Sequence, residues 1–149
     1  MMRRGFIDTD NGQVHYRYCG DGPDIVLVHA SPGSSRQLES LTLALADKGL
    51  RVFAPDTPGN GDSTKLPIPN PSIADYAAAL IPVMAQLGLE RPHIYGSHTG
   101  SAIAAELAIS APSRIGRVVL EGVGVFSPEQ RAAFLEDYAH PFVPDLDGA

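Results

Sequence analysis

The sequence predicts an α/β fold: a mostly parallel sheet with helices on both faces. Three observations carry that expectation. Short, continuous apolar runs, 24–29 among them, read as strands buried on both sides. Stretches with helical spacing separate these runs. The strand–helix alternation recurs three times, which implies right-handed crossovers into one sheet. Glycine (15) and proline (13) are abundant, and many fall between the runs, where short elements need tight turns.

The elements follow in order. Residues 13–18 alternate and favour β structure, and Asp10-Asn11-Gly12 before them carries the strongest short hairpin signal. An antiparallel hairpin is therefore expected across residues 4–19. The run 24–29 lies between Gly22-Pro23 and Ser31-Pro32-Gly33 and reads as the first parallel strand. A helix is expected over 35–48, with Leu38, Leu41, Leu45 and Ala46 on one stripe and Gly49 as its stop. Residues 51–56 read as the next strand, followed by a long polar loop to Pro71. The clearest helix is 73–87. There Ile73, Tyr76, Ala77, Leu80, Ile81, Met84 and Leu87 share one face, Ser72 caps the start and Gly88 ends the run.

Residues 92–96 read as a strand and Ser97-His98-Thr99-Gly100 as a sharp turn into a small-residue helix that stops before Pro112. Residues 117–121 are a further strand. Ser127-Pro128-Glu129-Gln130 has the cap, the first-turn proline and the glutamine of a helix start, so a helix should reach Tyr138. The last ten residues read as irregular. This divides the chain into a core over 1–126 and a further segment over 127–149.

Composition narrows the function classes. The 149 residues suit one domain, and 44% hydrophobic with 19% charged residues is an ordinary globular balance. A net charge of −6 and a pI near 5.2 argue against a basic nucleic-acid-binding face. One cysteine, Cys19, leaves no internal disulfide framework and no cysteine metal cluster. The opening MMRRGFIDTD lacks the apolar run of a signal peptide, and no stretch is apolar for the ~18 residues that a membrane span needs. The expectation is a cytoplasmic protein with no membrane or nucleic-acid partner.

In a sheet of this kind function gathers at the carboxyl ends of the strands. Four loops qualify: 29–33, 56–63, 96–100 and 121–126. Three carry motifs: His29-Ala30-Ser31-Pro32-Gly33, then Asp56-Thr57-Pro58-Gly59-Asn60-Gly61-Asp62-Ser63, then Gly96-Ser97-His98-Thr99-Gly100. Together, in this order and spacing, they resemble the amino-terminal half of the α/β-hydrolase superfamily, over nearly the whole chain. The resemblance implies an oxyanion-hole amide from Ala30 or Ser31 in the histidine-glycine type of loop, with His29 holding that loop. It implies a turn at 56–63 that shapes the site rim. It makes Gly96 to Gly100 a nucleophile elbow, G-x-S-x-G in most relatives, with Thr99 supplying a second oxyanion amide.

The middle position of that elbow is His98, not a serine, cysteine or aspartate, and Ser97 is one place early, so it should point away. Three readings stand side by side: His98 acts as nucleophile or base, it is a relic in a non-catalytic relative, or it serves a chemistry that keeps the pocket without an acyl-enzyme. Glu121, at the end of the following strand, resembles the acid position of the haloalkane-dehalogenase branch and would orient a histidine. Its blander reading is a rim glutamate. His93 is expected to be exposed, His15 lies on the hairpin, and His140 sits in the segment after the core. No two histidines have metal-ligand spacing, and neither a dinucleotide loop nor a P-loop is present, so neither metal nor cofactor is expected.

Members of the superfamily are roughly twice as long. The resemblance implies two further strands, a lid and a catalytic histidine that these 149 residues lack, with 127–149 as the start of the lid. The expected function is a hydrolase-like chain acting on a small, ester-like molecule. The alternative is a non-catalytic relative that binds a small ligand or a partner chain. An open sheet edge at 117–121 would make the chain pair with a copy of itself or with a complementary chain.

Overall fold

The computed structural model describes residues 1–138. The expectations for 139–149, including the irregular ending and His140, lie outside the described residues. A hairpin of β1 (Arg3–Thr9) and β2 (Gly12–Cys19) leads to β3 (Asp24–Val28). Next come α1 (Glu39–Ala46), β4 (Arg51–Pro55), α2 (Ile73–Gln86) and β5 (His93–Ser97). The described part closes with α3 (Thr99–Ser110), β6 (Val118–Glu121) and α4 (Pro128–Tyr138). The strand order is β1-β2-β4-β3-β5-β6. The hairpin joins β4 antiparallel, and β4, β3, β5 and β6 run parallel. This is the expected α/β architecture.

The unbroken apolar runs have their cause in this order, because β3 and β4 are covered on both faces. Val26, Val28, Phe53 and Ile94 pack under α2 and α3 with Leu80, Met84, Ile103 and Leu107. Ile25, Leu27, Val52 and Ala54 face Leu38, Leu41 and Leu45 on the α1 side. Arg51 clamps the start of β3 with two hydrogen bonds to the Asp24 carboxylate, of 2.5 and 2.8 Å.

Two local details differ from the expectations. The hairpin turns through Asp10 and Asn11, neither at positive φ, and Gly12 takes the left-handed position at φ 106°. The glycine is used after the turn, as in a bulged hairpin, and not inside an Asn-Gly pair. The first turn of the helix expected over 35–48 is a 3-10 turn, Ser35–Leu38, capped by the Ser34 side chain. The α2 start is a full capping box between Ser72 and Asp75.

Candidate active site

The strand ends bring the three motif loops together. At the elbow, His98 caps α3 with φ 49° and ψ −110°, a conformation that non-glycine residues seldom adopt. Gly96 and Gly100 permit it sterically. A Cβ on Gly96 would stand 2.1 Å from the Gly100 carbonyl oxygen, and one on Gly100 would stand 2.1 Å from that of Val28. The turn is stapled to β6: His98 N–H donates to the Glu121 carbonyl at 2.8 Å. The buried Ser101 hydroxyl reaches the carbonyl oxygens of Gly96 (2.7 Å) and Glu121 (2.5 Å).

Ser31, His29 and Thr99 line one small cavity of about 40 Å³, with Thr57, Asn60, Tyr76 and Ile103. Ala30, His98 and Glu121 are not in that lining. The His98 ring is exposed and lies against Gly122, where an added Cβ would come within 2.8 Å of it. Ser97 pairs in register with Glu121, and Tyr95 with Val119, so these four share one face of the sheet. Tyr95 packs toward α1 on that face, and its hydroxyl bonds the Glu121 carboxylate. Burial, the Glu121 hydrogen bond and its charge raise the Tyr95 phenol above its usual pKa. The carboxylate expected to orient a histidine is thus engaged with a tyrosine on the face opposite α2 and α3.

His29 is buried, with both ring nitrogens in use. Nδ1–H donates to the Ala30 carbonyl at 2.8 Å, and Nε2 accepts from the Thr57 backbone N–H at 3.0 Å. The Thr57 hydroxyl stands 3.2 Å from the same Nε2 and accepts from the Asn60 amide at 3.0 Å. The ring therefore straps the 29–31 loop to the turn after β4. Burial lowers its pKa, although the Ala30 carbonyl and the Asp56 charge oppose that.

A second buried pair sits behind this strap. His15 Nδ1 lies 2.9 Å from Asp56 Oδ2, and both residues are 1% exposed. Asp56 also accepts from the backbone N–H groups of Ser35 (2.6 Å) and Asp62 (2.9 Å). Burial pushes the Asp56 carboxyl pKa up, but these hydrogen bonds outweigh it and hold the group below its ordinary range. His15, Asp56 and Asp62 are close enough to share a metal ion, but Asp56 already accepts hydrogen bonds on both oxygens. In the sequence His15 is one hairpin residue among others, because its partner is 41 positions away. His93, expected to be exposed, is half-buried and accepts from the Arg117 N–H at 3.0 Å. Among the described residues no helix is long and apolar enough to cross a membrane.

A strained strand-to-helix elbow beside a histidine loop, on this strand order, defines a class. The model of the alpha/beta hydrolase fold family matches residues 23–145, and the chain belongs to that family. It is similar to the 2-hydroxy-6-oxononadienedioate/2-hydroxy-6-oxononatrienedioate hydrolase 1 of Dechloromonas aromatica, 34% identical over 87% of this chain and 45% of that protein. The 2-hydroxy-6-oxo-6-phenylhexa-2,4-dienoate hydrolase of Comamonas testosteroni is 31% identical over 78% of this chain and 42% of its own length. Among solved structures, an epoxide hydrolase from Vigna radiata superposes with a TM-score of 0.81 at 21% identity, over 93% of this chain and 48% of that one. That likeness shows the fold. The chain spans about half the length of the curated relatives it matches.

Proposed function

We propose that this chain carries the amino-terminal portion of a hydrolase that acts on a small, ester-like organic substrate without a cofactor. The observation that supports it most is the elbow. His98 holds the middle position between Gly96 and Gly100 at φ 49°, and the next residue, Thr99, lines the same cavity as Ser31. In this reading the His98 imidazole takes a proton from water, and the water oxygen adds to the substrate carbonyl carbon. The negative charge forming on the carbonyl oxygen is met by the Thr99 N–H and by that of Ala30 or Ser31. The first N–H of a helix has no acceptor within it and is free for this. Collapse of the adduct breaks the bond to the leaving oxygen, which takes the proton back from the imidazolium. His29 holds the 30–31 loop. Glu121 holds the elbow through its carbonyl, while its carboxylate bonds the Tyr95 hydroxyl. In this reading α4 (Pro128–Tyr138) begins a lid.

A base without an orienting acid is a weak one. The purified chain is expected to cleave a short-chain nitrophenyl ester barely above background, and His98→Ala should remove that excess. His98→Ser should not restore activity, because a serine needs a base within about 3 Å. Equal rates for the wild type and His98→Ala would overturn the role of His98. Turnover of roughly 1 per second or more in His98→Ser would overturn the assignment of the base.

A further inference from the structure

Away from the cavity, we propose that Arg4 and Arg17 form a binding site for a phosphate dianion, free or as a monoester. The two arginines stand directly opposite each other in the ladder between β1 and β2. They share the face of the sheet that α1 covers. Arg17 is in register with Ala54, which packs on that side, and two residues along the ladder the Phe6 and His15 rings meet at 5.1 Å. Side chains placed in this way have Cβ atoms about 4.5–5.5 Å apart, so both guanidinium groups can reach one small ion.

The chain itself does not answer these charges. Among the described residues no carboxylate forms an ion pair with either arginine, and neither guanidinium makes a hydrogen bond. The sheet acids on the same face are engaged: Asp8 accepts from the Gln13 amide at 2.8 Å, and Asp56 bonds His15 at 2.9 Å. Like charges directly opposite destabilise a strand pair, and a bound anion relieves that cost. Packing encloses the Arg17 Nε and so pins the stem, while its two terminal nitrogens stay open. A pinned guanidinium presents its end as a fork of two parallel N–H donors that fits two oxygens of one oxyanion. Two such cations facing each other match a double negative charge. The net charge of −6 repels anions at long range, so capture rests on this short-range fork.

The test titrates the whole chain with sodium phosphate, and with sodium chloride at matched ionic strength, at about pH 8, where phosphate is mostly a dianion. Calorimetry gives the affinity, and the Arg17 Nε–H signal, shielded by its enclosure, reports the place. Phosphate alone should shift that signal along a saturating curve. Arg4→Gln and Arg17→Lys should each weaken phosphate about tenfold, the loss of one charge-assisted contact. Arg4 is exposed, so its variant decides the matter even if Arg17→Lys fails to melt cooperatively. Equal responses to phosphate and chloride would overturn the site. Undiminished binding by Arg4→Gln would overturn the pair, and undiminished binding by a folded Arg17→Lys would overturn the fork. Glycerol 2-phosphate separates the sources: affinity equal to that of phosphate supports a monoester as the ligand, and exclusion supports the free ion.

Discussion

At the residue scale, imidazoles in unlike settings carry most of what is distinctive. His29 has its neutral form locked in, because Nε2 must accept from Thr57. Its folded pKa is lowered from the ordinary value of about 6.5. The unfolded chain therefore binds more protons between the two values. The stability His29 contributes is fully present above about pH 6.5 and is lost as pH falls through the folded value. Urea midpoints at pH 7.5 and 5.5 should show the wild type losing more than His29→Asn, and a parallel loss would contradict the strap. At pH 7.5 that substitution should cost about 1–3 kcal/mol, since the buried Thr57 N–H loses its acceptor. His98 behaves in the opposite sense. Its backbone strain is on the order of 1–3 kcal/mol, of which glycine's extra unfolded freedom takes back about 0.5–1. His98→Gly should thus stabilise the chain by about 1 kcal/mol, and a lower melting temperature would show the elbow unstrained. The sequence announced this position, because glycines at −2 and +2 are a local signal. It could not announce the His15–Asp56 pair or the gathering of Tyr76, Asn60 and Thr99 around one cavity, because those depend on which strands and turns become neighbours.

At the element scale, α2 was the most legible piece, because its apolar stripe, Ser72 cap and Gly88 stop are all encoded within adjacent turns. Its cap is reciprocal: the Ser72 Oγ accepts from Asp75 N–H at 3.3 Å, and the Asp75 carboxylate accepts from Ser72 N–H at 2.7 Å. Ser72→Ala should cost about 1 kcal/mol, read from the urea midpoint. A change within about 0.2 kcal/mol would mean that packing on Leu80 and Met84 alone decides the helix. The segment 35–48 was less legible. Leu38 is buried against β3 and β4, and the short Ser34 cap tightens the first turn to 3-10 geometry. Such a turn leaves the same apolar spacing in the sequence as an α-turn does. The hairpin shows the same limit, since Gly12 serves a bulge or a two-residue turn equally well in sequence.

At the scale of the whole molecule, the parallel order of the sheet followed from the alternation of runs, and its two borders turn out unlike each other. The β1 border is exposed and carries Arg3, Arg4 and Asp8, the charges with which edges commonly resist pairing. The β6 border carries Val119 at 55% and Leu120 at 40% exposure, with Val123, Val125 and Phe126 exposed just beyond it. Covering a few hundred Å² of such surface at about 25 cal/mol per Å² yields several kcal/mol, enough to drive association. With one border guarded and the other open, growth has a stopping rule. A copy joined by β6 to β6 around a twofold axis would offer only guarded borders outward, so such an assembly would close at two and build no filament. Light scattering should therefore rise with concentration to a plateau at twice the 15.8 kDa chain mass, and Val119→Lys should return it toward one. A mass that stays at one chain would mean the open border is inert. A mass that climbs past two without a plateau would mean the charged border pairs as well, and the sheet would then be a unit of a polymer.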